Sequence, residues 1–307
     1  MEVSAKTYPA LSFLIDLQLE VSPNQERFLK KRFAGISDAA LRKLEVIAQS
    51  VRKLAQGNER TFVEDYDWYC QEQLKEELFF RRNGGYRLST FQEAVDEVYS
   101  NEPYMTRYMN GLLITQLWWS NHTDVIEFYT DEFLSILTNG NRHLEIGPGH
   151  GLFLYLAAET NKMSSLTAWD VSPSSINATR HALTALETSV MPELIEQDMF
   201  ENPKGTFDSI VFSEVLEHLE RPGEALKVLR DLLAPRGKLF LNMPINSPAP
   251  DHIFNMESPD ALENFIADHG LNITSSVFLP ATNQTLERAL KRKMSVNCVF
   301  ICERSDA

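Results

Sequence analysis

Residues 143–151 read His-Leu-Glu-Ile-Gly-Pro-Gly-His-Gly. The apolar run 142–146 suits a buried strand, and a helical run follows at 152–159. Between them stand Gly147, Gly149 and Gly151. Glycines at a strand-to-helix joint let the backbone turn sharply and let a ligand approach the main chain. The arrangement commits this half of the chain to an open α/β sheet with its ligand at the carboxyl edge of the strands. Many nucleotide and cofactor folds share such a turn, so the residues that follow at fixed distances decide which one it is.

Asp170 ends a strand over 166–169, about twenty residues beyond the glycines, where an acid can accept both hydroxyls of a ribose. The plainer alternative is a cap for a helix starting near residue 174. Asp198 ends a strand over 194–197 and precedes Met199 and Phe200. An acid beside apolar surface suits an adenine, and a turn aspartate is again the plainer alternative. A strand over 207–212 leads into Ser213-Glu214-Val215-Leu216-Glu217-His218. A helix over 223–233, a turn at Pro235-Arg236-Gly237 and a strand over 238–243 come next. Polar groups therefore gather at the ligand-binding edge. Glu145, two residues before Gly147, would repel a pyrophosphate and suits a cationic ligand.

Taken in order, the glycine turn, Asp170, Asp198, the Ser213–His218 segment and Pro235-Arg236-Gly237 resemble the class I S-adenosylmethionine-dependent methyltransferases over residues 139–303. The resemblance implies an α/β, Rossmann-like, seven-stranded and mostly parallel sheet with helices on both faces. It also implies an antiparallel final hairpin from strands at 272–279 and 294–302, and S-adenosylmethionine as cofactor. Glu145, Gly147, Gly149 and Gly151 would then line the methionine part and the ribose. Asp170 would bind the ribose hydroxyls, Asp198 with Met199 would sit at the adenine, and Ser213 would begin the segment under the sulfonium.

Residues 1–138 carry no glycine-rich turn and read as an all-α cap, joined near residues 138–141 to a second domain over 139–307. Helical periodicity appears over 11–19, 38–54, 66–80, 103–119 and 125–137. Tyr104, Tyr108, Leu112 and Trp119 fall near one helical face, with Met105, Met109 and Gln116 beside them. Such a stripe is ordinarily core. The sharper expectation is a lid in which Tyr104 and Tyr108 face the cofactor, since an aromatic face attracts a cation by about 0.5–2 kcal/mol. The cap is long enough to build a substrate pocket or a homodimer contact as well.

The net charge of −14 carries no basic footprint for nucleic acid. No apolar stretch approaches the roughly eighteen residues of a membrane span. Cys70, Cys298 and Cys302 make no disulfide framework, and no Cys or His pair shows zinc spacing. The expectation is a cytoplasmic protein with a small-molecule substrate, no membrane or nucleic-acid partner and no metal.

Methyl transfer asks the protein mainly to position reactants, with a base only where the nucleophile carries a proton. His252, with Asp251 and Asn246 beside it, follows the fifth strand and is the candidate base or orienting group; its ordinary pKa near ~6.5 suits that work. These residues could equally fix the proline-rich loop. Glu217 and His218, after the fourth strand, are weaker candidates. The leading expectation is methylation of a small molecule in specialised metabolism. One alternative is cyclisation of S-adenosylmethionine to azetidine-2-carboxylate and methylthioadenosine, which azetidine-2-carboxylate synthases perform on a similar fold. Another is a cofactor-binding interaction protein without turnover.

Overall fold

The computed structural model describes residues 3–305. The outermost residues of the two expected domains, 1–2 and 306–307, lie outside the described residues. Seven helices come first: α1 (Pro9–Val21), α2 (Glu26–Arg32), α3 (Asp38–Ala55), α4 (Glu59–Asn83), α5 (Phe91–Ala94), α6 (Glu102–Trp118) and α7 (Ser120–Phe128). The periodicity over 66–80 marks only the middle of α4, whose polar first turn carries no apolar stripe. Thr90 and Glu93 cap α5 reciprocally, and a π-helical turn (Val95–Tyr99) continues it.

Ser120-Asn121 looks like a break in the sequence, and the structure makes it a one-residue joint. Trp119 is extended (φ −96°, ψ 113°), and α7 starts immediately after it. A second π-helical turn, Tyr129–Leu134, replaces the later part of the expected helix.

The helices α1, α3, α4 and α6 close around one core containing Leu11, Leu14, Val51, Tyr66, Ile114 and Trp118. Gln18 accepts a hydrogen bond from the buried Trp118 indole at 2.9 Å, as an indole N–H inside a core requires. Helices α4 and α6 cross closely because Gly111 lacks a side chain: a Cβ there would lie 2.5 Å from Cβ of Tyr69. Asp65 ties the crossing by accepting from Arg107 Nε and Asn110 Nδ2, both at 2.9 Å.

The sheet holds β1 (Asn141–Ile146), β2 (Met163–Asp170), β3 (Glu193–Glu196), β4 (Phe207–Ser213), β5 (Leu233–Ile245), β6 (Leu271–Pro280) and β7 (Val296–Arg304) in the order β3-β2-β1-β4-β5-β7-β6. All neighbours are parallel except β7, which runs antiparallel to β5 and β6. Helices α8 (Leu152–Ala158), α9 (Pro173–Ala185), α10 (Pro222–Leu232), α11 (Pro259–Asp268) and α12 (Leu286–Lys291) connect the strands. The expected seven-stranded Rossmann-like sheet is present, including its antiparallel end.

Two details differ from expectation. Strand β5 begins at Leu233 and carries Pro235-Arg236-Gly237 as a bulge: Leu233 faces Phe207, and Lys238 already faces Ser209. Arg236 absorbs the bend at φ +70°. The connection after β6 contains α12, capped by Thr285, which short polar periodicity concealed.

Side chains alternate strictly between the sheet faces. Along β5 and β7, Leu239, Leu241, Met243, Val296, Cys298, Phe300 and Cys302 pack into one core. Phe240, Val299 and Ile301 join the opposite core. That second core includes Val125, Tyr129, Phe133, Leu134 and Leu137, with Tyr129, Phe133 and Phe153 around the Phe240 ring at 5.1–5.8 Å. Residues 125–137, placed with the cap from sequence, therefore pack on the sheet. Leu152 of α8 joins the cap core, so the helix after the glycine turn is shared by both halves.

Candidate functional site

The sheet reverses its strand order between β1 and β4, the place where open α/β sheets take their ligands. On the β1 side, Glu145 points to the cap-facing side of the sheet and is 3% exposed. Its Oε2 has no hydrogen-bond donor among the described residues. Burial pushes its carboxyl up to about 8. A buried carboxyl without a donor is costly, and a cationic ligand would relieve it.

The turn after it is built for close approach. Gly147 sits at φ +69°, where a Cβ would come 2.7 Å from Val215 Cγ2. Gly149 sits at φ +51°, its missing Cβ 3.8 Å from Met109 Cε on α6, and its carbonyl accepts from Thr179 Oγ1 at 3.0 Å. Gly151 caps α8 in the left-handed region. Helix α6 thus reaches the glycine turn through Met109.

Asp170 and Asp198 each make the local contacts weighed from sequence as the plainer alternative. Asp170 Oδ1 accepts from Ser172 N at 2.9 Å and Oδ2 from Ser175 Oγ at 2.7 Å, which fixes the start of α9. Each oxygen keeps a second lone pair for a ligand hydroxyl. Burial raises its pKa, and the hydrogen bonds from Ser175 and Ser172 oppose that rise. Asp198 Oδ1 accepts from Phe200 N at 2.8 Å, a turn contact, and Met199 is buried beside it.

The β4 side is of another kind. Ser213 Oγ accepts from Asn242 Nδ2 at 3.0 Å. Glu214, held at φ +55°, accepts from Asn242 at 2.9 Å and Asn297 at 2.6 Å, and burial raises it to about 7. Asn121 of α7 donates to Asn297 at 2.8 Å and continues this chain of amides toward the cap. Glu217 is fully buried against the Glu214 carboxylate, and neither of its oxygens accepts from an N–H or hydroxyl among the described residues. Burial first, and the neighbouring Glu214 second, push its pKa well above the ordinary value.

His218 and His252 face each other with ring centroids 4.8 Å apart. Asp251 stands against them: its Oδ1 accepts from Tyr108 at 3.1 Å and its Oδ2 from Tyr99 at 3.2 Å. Burial alone would raise Asp251, but the facing imidazoles and the Tyr108 hydroxyl hold it below the ordinary value. His252 differs from the sequence expectation. Burial lowers it to about 4, so it is neutral near pH 7 and a weaker base than its usual pKa suggests. Its Nδ1 lies 2.7 Å from the Ser247 carbonyl, which can only accept, so Nε2 carries the free lone pair.

Asn246, at φ +49°, is tied into its own loop by Asn255 Oδ1 on its N–H at 2.7 Å and by a 3.5 Å contact to the Glu257 carbonyl. Sequence order places Asn246 beside His252, but its bonds run to the other end of the loop. Tyr104 packs edge-on against Trp68 at 4.9 Å, and Tyr108 packs against Tyr69 at 5.1 Å. Tyr108 is thus anchored to Asp251 as well as stacked in the cap.

Sequence reasoning passed over Glu214 and Tyr99 as functional residues. Glu214, Glu217 and His218 follow β4 at a spacing that brings all three to one turn, a signal present in the chain. Tyr99 has none, because its partners lie more than a hundred residues away.

The geometry agrees with known proteins. A family model described as "Methyltransferase domain" matches residues 119–276, just over half of the chain. A ubiquinone biosynthesis O-methyltransferase of Xanthomonas oryzae pv. oryzae is 34% identical over 113 residues, 36% of this chain and 46% of that protein. The Xanthomonas campestris pv. campestris protein of the same name is 33% identical over 113 residues, with the same coverage. The chain spans about half the length of these curated relatives.

Among solved structures, an O-methyltransferase family protein from Burkholderia thailandensis superposes with a TM-score of 0.53 at 14% identity, covering 81% of this chain and 72% of that one. The mitomycin 7-O-methyltransferase MmcR gives 0.51 at 14% identity, covering 80% and 70%. At such identities the likeness is one of fold. The family match places the chain in the methyltransferase domain family, in the S-adenosylmethionine-dependent class with S-adenosylmethionine as its cofactor, and the glycine cradle beside Glu145 suits that ligand.

Proposed function

We propose that the protein transfers the methyl group of S-adenosylmethionine to a small-molecule acceptor of specialised metabolism, admitted between the cap and the ends of β4 and β5. The observation that carries the reading is the division of one sheet edge. Glu145, buried without a donor on Oε2, stands with the glycine cradle on one side of the reversal, and a buried acid–imidazole cluster stands on the other.

S-adenosylmethionine supplies an activated methyl on a positively charged sulfur. Glu145 holds the methionine ammonium, and Gly147, Gly149 and Gly151 let the main chain approach it. Asp170 takes the ribose hydroxyls through its remaining lone pairs. Asp198 meets the adenine edge and Met199 covers its face. Ser213 begins the floor beneath the reacting group, and Tyr104 and Tyr108 close the roof. His252, neutral and with Nε2 free, orients the acceptor, while Asp251 and Asn246 hold its loop.

Purified protein incubated with S-adenosylmethionine and an acceptor panel is expected to give S-adenosylhomocysteine only when an acceptor is present. Methylthioadenosine from S-adenosylmethionine alone would replace this reading with intramolecular cyclisation. Tight binding without any product would leave a non-catalytic cofactor binder.

A further inference from the structure

We infer that Glu217, His218 and His252 form a binding site for one divalent metal ion at the carboxyl ends of β4 and β5. Glu217 Oε1 lies 3.9 Å from His218 Nε2 and 4.0 Å from His252 Nε2. One ligand atom from each of the three residues falls within 4.8 Å of the others. Ligands bound at about 2.0–2.2 Å in a tetrahedral site stand roughly 3.5 Å apart, so the two carboxylate–imidazole distances need to close in by about 0.5 Å and the widest pair by at most about 1.3 Å.

The surroundings are those a metal site requires. A ligating histidine donates its other ring N–H to a carbonyl or carboxylate, which fixes both tautomer and orientation. His252 Nδ1 faces the Ser247 carbonyl at 2.7 Å, and His218 Nδ1 faces the Asp251 carbonyl at 3.1 Å. Both therefore aim Nε2 toward Glu217. Tyr99 and Tyr108 hold the Asp251 carboxylate behind His218.

The two loops are also stapled together: Ile253 N and Phe254 N both donate to the Glu217 carbonyl at 2.9 Å. Independently of the histidines, the Glu217 carboxylate is fully buried with no N–H or hydroxyl donor among the described residues, and it lies against the Glu214 carboxylate. A bound cation would compensate it. The sequence expectation of no metal followed from spacing, and spacing hides this set because His252 lies on a separate loop.

Two imidazoles and one carboxylate on one face suit borderline cations such as Zn²⁺, Co²⁺, Mn²⁺ or Fe²⁺ better than Mg²⁺ or Ca²⁺, which favour all-oxygen sites. Three protein ligands leave positions open for an oxygen of a second molecule. Only that last role, anchoring an oxygen-bearing acceptor, rests on the proposed methyl transfer; the binding itself does not.

The test uses the full-length protein, stripped with chelator and titrated with Zn²⁺ by calorimetry and with Co²⁺ by visible absorption, without cofactor or acceptor. One ion per chain is expected, with Co²⁺ bands of low-symmetry coordination and no displacement by millimolar Mg²⁺. Glu217→Gln, which keeps the shape of the buried side chain, and His252→Ala should each weaken binding on the order of a hundredfold, and Tyr99→Phe about tenfold. His181→Ala, on the exposed face of α9, should leave it unchanged. Circular dichroism confirms that each variant is folded. Absence of stoichiometric binding, or binding indifferent to both Glu217→Gln and His252→Ala, overturns the site. Normal binding with no methyl transfer would count against the proposed function and leave the site standing.

Discussion

The two halves of the sheet's carboxyl edge are made differently. Left of the strand reversal, Asp170 and Asp198 accept hydrogen bonds from main-chain and serine groups only two to five residues further along, and both remain partly exposed. Right of it, Glu214, Glu217, Asp251, His218 and His252 are joined across loops and to tyrosines of the cap. The first half is a set of local turns, touched by the cap at Met109. The second also draws on the cap, where α6 and the π-helical turn before it bring Tyr108 and Tyr99 onto the loop after β5. A binding function fits the first kind of construction, and selection of a second reactant fits the second.

Glu145 stands at the boundary and gives the largest expected effect. Its folded pKa, about 8, lies above the ordinary carboxylate value, so the unliganded native state holds an extra proton between the two. Its contribution to stability is therefore full at low pH and declines as the pH rises toward about 8. Binding of a cationic amino acid group favours the ionised form. Affinity for S-adenosylhomocysteine should accordingly climb from pH 6 to pH 8 by up to about tenfold per unit. Glu145→Gln should flatten the climb and remove the decline in thermal stability. Calorimetry and thermal melts across that range decide it; a pH-independent affinity would dissociate Glu145 from the ligand.

Asp170→Ala probes the left half alone. It should weaken cofactor binding well over tenfold, about 2 kcal/mol, with little change in stability beyond the start of α9. An unchanged dissociation constant would reduce Asp170 to a helix-capping residue. Tyr108→Phe probes the right half alone. It removes one donor from a buried carboxylate and should cost about 1.5 kcal/mol of folding stability. It should lower kcat and leave cofactor affinity unaltered. A change in cofactor affinity without a change in kcat would erase the proposed division between the halves.

This contrast also explains what the chain disclosed before its structure. The glycine turn, Asp170 and Asp198 were legible because their geometry is local: a strand ends, a turn begins, and the acid belongs to both. The strands were legible as short apolar runs closed by turns, and β7 shows this in Cys298–Cys302, buried on both faces. What local pattern could not convey was pairing across loops. His252 looked like an ordinary histidine near neutrality, and only burial, with the facing His218 second, brings it down to about 4. Asn246 looked like its partner by adjacency, and the loop carries its bonds away toward Asn255 and Glu257. The place of residues 125–137 on the sheet was concealed for the same reason, since an apolar helical face does not name the surface that covers it.

The most direct measurement is a crystal structure of the protein with S-adenosylhomocysteine, supported by calorimetric stoichiometry. One ligand per chain is expected, its ammonium on Glu145, its ribose hydroxyls on Asp170 and its adenine between Asp198 and Met199. A crevice that stays empty at saturating ligand, or that takes a phosphorylated nucleotide in its place, would contradict the account.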